Sequence, residues 1–452
     1  MGAPRAVFLA LGGLFGLFFA LATPPHDPPD EARHHARAWL LSTGRLAVVG
    51  EAPGHGASLP RDITQLHPPG HHFSGEQVQR GGPASRLGRT GPHAPAERIE
   101  ELRGSLARWE LQPVRFLTPY NPVVYAPFVP ALWIARGLEL SAAAGLLLAR
   151  LFGLVTWLAG VWLVLRVAPC QRPLLAAVAL LPLSVFQAGS VSADPLTQLA
   201  CFWLFAEWLR AVTARDEPRR ARDDARLLAA AVALGLVKPG YAPLALACAA
   251  LPGTLRRRAT LGGAALAASA LPTLAWAAVA RAAREPAVVA GVDPDAQLRF
   301  VLGNPLAFVR AAADTIGGLW VRWLEGLVGN LGHFDVEIPG LATALGLAAV
   351  AVSGSIERFP LGPGRRLLLL GACLASGTTL LFLAYLTWAA VGAERIPGVQ
   401  GRYFLPLLPF ALVALPRIPR VSERTLGSLV TASLAVVLAV SAAAMLRAYY
   451  TW

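Results

Sequence analysis

Apolar residues in this chain gather into long runs that are separated by short polar connectors. A helix needs about 20 mainly apolar residues to cross the hydrocarbon core of a bilayer, so the pattern predicts a polytopic membrane protein. We expect about eleven membrane-spanning helices, several of them shorter than a full crossing. Their approximate bounds are residues 5–23, 142–166, 173–190, 194–213, 227–238, 239–253, 259–280, 339–355, 366–391, 403–416 and 425–446.

Two long segments interrupt this pattern, and the first of them covers residues 24–141. Its middle, residues 50–95, is rich in Gly, Pro and His and poor in apolar residues, which is typical of a mobile loop. Helices are predicted on both sides of that loop, at residues 30–41 and 96–111. The second of these helices carries its apolar residues on one face, as a helix lying on a membrane surface does.

The second long segment covers residues 281–338. It contains an aromatic and apolar stretch, residues 317–331, that includes Trp320, Trp323 and Glu325. Tryptophan is enriched at the membrane interface, and non-spanning helices at membrane depth are tolerated where protein covers them. We therefore expect an interfacial or re-entrant helix in this stretch.

Composition supports an all-α integral membrane protein. Hydrophobic residues make up 55% of the chain and charged residues 15%, and the mean hydropathy is +0.51. A net charge of +13 would favour nucleic acid in a soluble protein. Here the arginines lie mostly in the short connectors, where basic residues set topology and meet anionic lipid, so no nucleic-acid partner is predicted.

The arginine-rich connectors also predict an orientation. If the first helix is retained and the N-terminus is cytoplasmic, alternation places the basic connectors inside and both long segments outside. We expect a transmembrane module over residues 1–416, followed by a C-terminal membrane helix within residues 417–452.

Three carboxylates follow the first apolar run, at Asp27, Asp30 and Glu31, and prolines stiffen the chain around them. A stiff acidic group at the water face of a membrane protein can carry out proton transfer, and partial burial would raise a carboxylate pKa toward neutrality. Stabilising the N-terminus of helix 30–41 is the plainer alternative, but it does not need three acids. Asp30 and Glu31 are therefore the candidates for a general base, and Asp27 is a weaker third.

Histidines raise the question of a metal. Glu31 with His34 or His35 has helical i,i+3 or i,i+4 spacing and could hold a divalent cation. The alternative is that these histidines are ordinary polar residues of an outer loop, because no recognisable ligand spacing is present. The four cysteines are far apart and show no metal or redox spacing. The sequence therefore identifies no certain cofactor and leaves a divalent metal open.

Two cations lie at the ends of predicted spans. Lys238, the sole lysine, precedes Pro-Gly, and Arg402 follows Gln400 and a glycine that would let the backbone approach a ligand. Either cation could bind a lipid phosphate, and arginine does so in a bidentate manner. The alternatives are that Lys238 extends to lipid headgroups and that Arg402 with Tyr403 anchors a span end.

Other polar residues are less specific. Asp194 follows Ser192 at the start of a predicted span, where either residue could cap the helix. Asp194 could equally meet one of the cations or orient a sugar. Tyr120 and Tyr125 could line an acceptor groove, or they could belong to an interfacial aromatic belt.

Several motifs together resemble one family. The set is similar to the bacterial predicted membrane proteins of domain of unknown function 2142, which are grouped with the GT-C glycosyltransferase superfamily. The motifs are Pro-Pro-Asp-Glu-Ala-Arg-His at 28–34, Tyr-Asn-Pro-Val-Val-Tyr at 120–125, Ser-Val-Ser-Ala-Asp-Pro at 190–195, Val-Lys-Pro-Gly-Tyr at 237–241, Val-Gln-Gly-Arg-Tyr-Phe-Leu-Pro at 399–406 and, more weakly, Leu-Gly-His-Phe-Asp at 331–335. The loop at 50–95 departs from the family pattern.

The resemblance implies a reaction class. GT-C enzymes transfer a sugar from a polyprenyl-phosphate carrier to an acceptor outside the membrane, and their acid residue follows the first helix, where Asp30 and Glu31 lie. It thus implies a multi-pass enzyme of the bacterial plasma membrane with an extracytoplasmic site. The acceptor would be an envelope glycan, lipid or protein. Lys238, Arg402 and their neighbours would bind the donor.

Two other functions compete with this hypothesis. A transporter or flippase of lipid-linked intermediates would favour charges at the bilayer midplane, whereas the candidates here cluster at one face. A non-catalytic subunit for envelope assembly would use the outer loop to bind partners. It predicts that Asp30 and Glu31 tolerate substitution.

Overall fold

The computed structural model of the protein describes residues 3–46, 57–60, 109–112, 120–214, 221–282, 291–357, 359, 361–414 and 422–450. These residues are almost entirely helical, and their strands form two short two-stranded sheets. The predicted all-α membrane class is confirmed.

Fifteen α-helices follow one another in the described part of the chain. The first eight are α1 (Ala3–Ala22), α2 (Glu31–Ser42), α3 (Phe128–Gly137), α4 (Ala142–Val167), α5 (Arg172–Ala179), α6 (Pro182–Ala188), α7 (Asp194–Thr213) and α8 (Ala221–Gly235). The others are α9 (Leu255–Ala282), α10 (Pro294–Gly303), α11 (Pro305–Val328), α12 (Gly340–Ser353), α13 (Pro363–Trp388), α14 (Leu408–Val413) and α15 (Glu423–Tyr450). Three 3-10 helices complete the helical elements, η1 (Pro122–Tyr125), η2 (Ala242–Ala250) and η3 (Gly401–Leu407).

Five helices in the described ranges are long and apolar enough to cross a membrane, namely α1, α4, α9, α13 and α15. The span predicted at 194–213 is the helix α7, which has 20 residues, and the remaining predicted spans are shorter helices. The run at 173–190 is divided into α5 and α6, because Pro182 lacks the N–H that would continue the first helix. Short helices likewise replace the spans expected at 239–253 and 403–416.

The first long segment contains the predicted helix 30–41 as α2. Most of the expected loop at 50–95 and of the expected helix at 96–111 lies outside the described residues. The described parts are β1 (Ala57–Pro60) and β2 (Trp109–Gln112), which pair antiparallel. Residues 109–111 are therefore strand and not helix, and their alternation of apolar and polar residues agrees with a strand.

The second long segment is more helical than expected. The predicted interfacial stretch at 317–331 begins inside α11, a helix of 24 residues, and ends in β3 (Asn330–Leu331). β3 pairs antiparallel with β4 (Val336–Glu337), so a tight hairpin follows α11. Trp320 is exposed, whereas the Trp323 indole donates to the carbonyl of Val399 at 3.0 Å.

Two groups of connectors lie at opposite ends of the helices. At one end, Gln171 before α5 donates its side-chain amide to the carbonyl of Glu357 after α12, at 3.2 Å. At the other end lie the turn after α1, the α6–α7 connector, the turn after α8 and η3. This second group carries most of the predicted site residues.

Candidate functional site

Four charged side chains from distant parts of the chain meet at the end of the bundle. They are Asp30 before α2, Asp194 at the start of α7, Lys238 after α8 and Arg402 in η3. We call these four residues the ion-pair cluster. It contains two carboxylates and two cations, so its formal charges balance.

Arg402 lies between the two carboxylates. Its Nη2 donates to Asp30 Oδ2 at 3.0 Å, and its Nη1 lies 3.4 Å from Asp194 Oδ2. The residue is only 5% exposed. Arg402 is therefore held inside the protein by the two acids and is not simply an interfacial anchor.

Lys238 is also held inside. Its ammonium donates directly to Asp194 Oδ1 and lies 5.1 Å from the ring centroids of both Tyr120 and Tyr403. A carboxylate and two aromatic faces together can stabilise a buried ammonium. Because Lys238 is buried, it does not extend to lipid headgroups.

Asp194 is the central acceptor of the cluster. Besides the two cations, Asp194 Oδ2 accepts a hydrogen bond of 2.8 Å from the Gln187 amide. Ser192 Oγ accepts from the backbone N–H of Asp194 at 3.2 Å, in the turn just before α7. Neither residue of this motif caps the helix, because the N-cap is Ala193 and it makes no side-chain capping hydrogen bond. The Asp194 carboxylate points instead to the cations.

Asp30 is more exposed to solvent than the other three residues of the ion-pair cluster. It precedes α2 with a left-handed backbone (φ 64°), and its carboxylate makes no capping hydrogen bond to that helix. The side chain keeps 35% of its surface exposed while contacting Arg402. Burial alone would raise the pKa of Asp30, but Arg402, helped by His34 and Arg33, holds it well below its ordinary value.

Glu31, the next residue, faces a different partner. One carboxylate oxygen accepts from Arg150 Nε at 2.8 Å and from the Val191 amide at 2.9 Å. The other accepts from Arg150 Nη2 at 2.5 Å and from the His26 amide at 3.0 Å. We call this the Glu31–Arg150 junction. Both oxygens are occupied and Glu31 is fully buried, which argues against the predicted role of Glu31 as a base.

Arg150 also holds the end of the first helix. Its guanidinium donates to the carbonyls of Ala20, Thr23 and Pro24 at 3.1, 2.7 and 2.9 Å. The orphan carbonyls at the end of α1 are thus satisfied by α4. Sequence reasoning missed Arg150, although an arginine in the middle of an apolar run was the available signal.

The two histidines of α2 have separate partners. His34 Nδ1 lies 2.9 Å from Tyr125 Oη, and the His34 ring stacks on Tyr120. His35 Nδ1 lies 3.0 Å from Nε2 of His26. Burial is the main cause that lowers the pKa of His34 to about 4 and that of His35 to about 3. Both rings are therefore neutral at physiological pH.

This arrangement does not favour the metal site considered from the sequence. Glu31 is committed to Arg150, and His34 and His35 point to different neighbours. Among the described residues, no group of three or more His, Cys, Asp or Glu side chains is placed to hold a metal ion.

Gly401 allows the 3-10 helix η3, which carries Arg402, to pack closely against α11. A Cβ on Gly401 would lie 2.2 Å from the carbonyl oxygen of Trp323, so only glycine allows η3 to approach α11. The glycine was expected to admit a ligand, and it instead admits a helix backbone. Gln400 Oε1, just before it, is buried and accepts no hydrogen bond within the described part of the chain.

Aromatic side chains surround the cluster. Tyr120 and Tyr403 flank Lys238 as described, and Tyr241 donates to the carbonyl of Tyr403 at 2.9 Å. Phe334, in the hairpin between β3 and β4, lies 5.4 Å from the Arg402 guanidinium. The structure thus brings Tyr120 and Tyr403 to the cluster, whereas the Tyr125 hydroxyl lies beside His34.

Comparison with known proteins gives one result. Neither the curated proteins nor the solved structures include a match to this chain. The family described as "Predicted membrane protein (DUF2142)" matches residues 13–411, a range that contains the whole ion-pair cluster and the Glu31–Arg150 junction. The chain belongs to this family of predicted membrane proteins, DUF2142.

Proposed function

We propose that the protein is a GT-C-type membrane glycosyltransferase that moves a sugar from a polyprenyl-phosphate donor to an acceptor of the cell envelope. The observation that carries the proposal is the ion-pair cluster. It places a partly exposed carboxylate, Asp30, next to two cations, Arg402 and Lys238. A base and a phosphate-binding group side by side are what inverting sugar transfer from a phosphate requires.

Each residue then has a role. Asp30 removes the proton of the acceptor hydroxyl while that oxygen attacks the anomeric carbon. The bond between this carbon and the phosphate oxygen breaks, and the electron pair leaves with the phosphate. Arg402 and Lys238 stabilise the charge that develops on the departing phosphate. Asp194 orients both cations.

The low pKa of Asp30 bears on the order of the steps in the proposed reaction. Arg402 stabilises the Asp30 carboxylate, which weakens it as a base. A donor phosphate that draws Arg402 toward itself would raise the pKa of Asp30 and so strengthen the base. We infer that the donor binds before proton transfer.

Membrane placement is part of the proposal. We propose the bacterial plasma membrane, about eleven membrane segments and a cytoplasmic N-terminus, so that the site faces outward. The grouping of the connectors supports this orientation. The segments predicted to lie outside meet at the ion-pair cluster, and the basic connectors that contain Gln171 and Glu357 meet at the opposite end.

A transporter or flippase for a lipid-linked intermediate is the second candidate. The observation in its favour is that Asp194, Lys238 and Arg402 are buried and paired with one another, as in many transport pathways. A transporter moves its substrate without breaking a bond. The two candidates therefore differ in whether a new glycoside is formed.

The test is transfer by purified protein in vesicles that contain radiolabelled polyprenyl-phosphate sugars and a cell-envelope extract. We expect a new labelled glycoside from the wild type and none from Asp30→Asn. Movement of the intact labelled donor across the bilayer without a new product would favour the transporter. Equal product from wild type and Asp30→Asn would remove Asp30 as the base.

A further inference from the structure

The last long helix contacts the segment that carries the site. α15 lies outside the family-matched range, which ends at residue 411, and it packs against α12 and α1. Its final turn places two tyrosines against the start of the first long segment. Tyr450 donates to the carbonyl of Ala22 at 2.7 Å, at the end of α1.

Tyr449 makes a contact of a different kind. Its hydroxyl donates to Asp27 Oδ2, and both residues are buried, with 5% and 3% of their surfaces exposed. Hydrogen bonds to a buried carboxylate are stronger than those between neutral groups. Asp27, which the sequence supported least among the three carboxylates, therefore has a hydrogen-bond partner in α15.

The chain between Asp27 and the cluster is short and stiff. Asp27 is followed by Pro28 and Pro29 and then by Asp30. Proline fixes φ, and a residue before proline is confined to extended conformations, so few torsions in this segment are free. The amide of Asp27 donates to the carbonyl of Pro24 at 3.3 Å, which closes the turn on its other side. The position of Asp27 thus constrains that of Asp30.

Tyr449 also borders the hairpin on the other side of Arg402. Gly332 has a φ of +60°, and a Cβ there would lie 2.3 Å from the Tyr449 hydroxyl. Two residues further on, Phe334 faces the Arg402 guanidinium. One tyrosine is therefore adjacent to both segments that border the Arg402–Asp30 pair.

We propose that Tyr449 is a positioning residue for the transfer reaction. Through its hydrogen bond to Asp27 it holds the Asp27–Asp30 turn so that the Asp30 carboxylate stays at Arg402. α15 is then a functional part of the site although no residue of it reaches the cluster among the described contacts. This inference rests on the proposed function, but its structural part can be measured without a substrate.

The experiment compares Tyr449→Phe with Tyr450→Phe in full-length protein. The two variants lose one hydroxyl each from neighbouring positions of the same helix end, so Tyr450→Phe is the matched control. The first measurement is hydrogen–deuterium exchange of backbone amides in residues 24–35, in detergent or nanodiscs without substrate. The second is kcat and the donor KM for sugar transfer.

We expect amide exchange in this segment to be about tenfold faster in Tyr449→Phe than in Tyr450→Phe, the size expected for one lost bond to a charged group. The kcat of Tyr449→Phe should fall by a similar factor, with little change in the donor KM. Asp27→Asn keeps a neutral acceptor oxygen, so its kcat should lie between those of the wild type and Tyr449→Phe, whereas Asp27→Ala should behave like Tyr449→Phe. Combining Tyr449→Phe with Asp27→Ala should add no further loss.

Equal exchange in Tyr449→Phe and Tyr450→Phe would overturn the inference, whatever the activity. Faster exchange with an unchanged kcat would overturn the positioning role. If the wild type transfers no sugar, the proposed function fails, and the exchange comparison still decides whether Tyr449 holds the turn.

Discussion

Asp30 and Glu31 are neighbours in the chain, yet they belong to two regions of opposite character. The Asp30 side chain is 35% exposed and shares Arg402 with Asp194. The Glu31 side chain is 0% exposed, and hydrogen bonds from Arg150 and two backbone amides fill both of its oxygens. One region can exchange partners with a ligand, and the other cannot do so without breaking the fold.

This difference shows why adjacent carboxylates must be judged by their partners. Asp30 lies just before α2 with a left-handed backbone, and Glu31 is the first residue of the helix, so the two side chains face different surroundings. A fully satisfied buried pair is expected to hold structure, because removing one partner leaves a buried charge. A partly exposed carboxylate beside a cation can instead take part in chemistry.

The largest expected effect is on catalysis at Asp30. Asp30→Asn should lower sugar transfer by roughly 10²–10⁴-fold, the usual contribution of a general base, because the amide cannot accept the proton. Its thermal stability in detergent should fall as well, because the buried Arg402 guanidinium loses one of its two carboxylate partners, so the rates are compared per folded protein. A variant that keeps the wild-type rate would remove the distinction between the two regions.

The second-largest expected effect is a loss of folding stability when the Glu31–Arg150 junction is broken. Arg150→Met should destabilise the fold by about 3–5 kcal/mol, because Glu31 would remain as an unpaired buried charge. Arg166→Met is the matched control, because Arg166 lies on the same helix and is exposed. Fluorescence-detected size-exclusion chromatography after heating gives the comparison. Equal melting of the two variants would show that the junction is not essential to the fold.

A smaller effect is expected when lysine replaces Arg402, because the positive charge is kept and the planar guanidinium group is lost. Arg402→Lys cannot bind a phosphate with two parallel N–H groups, so it should lose about 1.5–3 kcal/mol of charge-assisted bonding to the donor. The donor KM should rise about tenfold or more at that energy, while the protein stays folded. Arg281→Lys is the control, because Arg281 pairs with Asp295 at an exposed site. An unchanged KM in Arg402→Lys would separate Arg402 from the donor phosphate.

The smallest expected effect is a pH dependence of the free energy of unfolding, and it arises from His34, which lies in α2 close to both regions. Burial lowers the pKa of His34 to about 4 from 6.5, so between these values the unfolded chain binds more protons than the folded one. Stability should therefore fall as the pH drops from about 7 to 5, by about 1–2 kcal/mol for this residue. His34→Gln should remove this residue's share of the slope, whereas the share of His35, whose pKa is lowered to about 3 by burial, should remain. If the profile keeps its full slope, His34 is not held neutral.

Much of the fold and part of the site followed from the sequence. Apolar runs predicted the long helices α1, α4, α9, α13 and α15, because the length that spans a bilayer can be read from hydropathy. Asp30, Asp194, Lys238 and Arg402 were singled out as charges at the ends of apolar runs. Their meeting in one cluster could not be derived from the residues alone, because they come from four separate segments.

Other contacts could not be read from the sequence for the same reason. Gly401 was expected to admit a ligand, and it admits α11. Glu31 was ranked with Asp30, because the sequence did not show that Arg150 lies opposite it. The contact of Asp27 with Tyr449 spans most of the chain and has no local signal.

The sequence by itself determined that this is a helical membrane protein of the DUF2142 family, and which polar residues lie at the ends of its apolar segments. Hydrophobic length, proline and charge act locally, so they can be read along the chain. Only the tertiary structure decided the partner of each charge, because ion pairs depend on distances of a few ångströms between distant segments. That choice of partner separates Asp30, the proposed base, from Glu31, which pairs with Arg150 of α4.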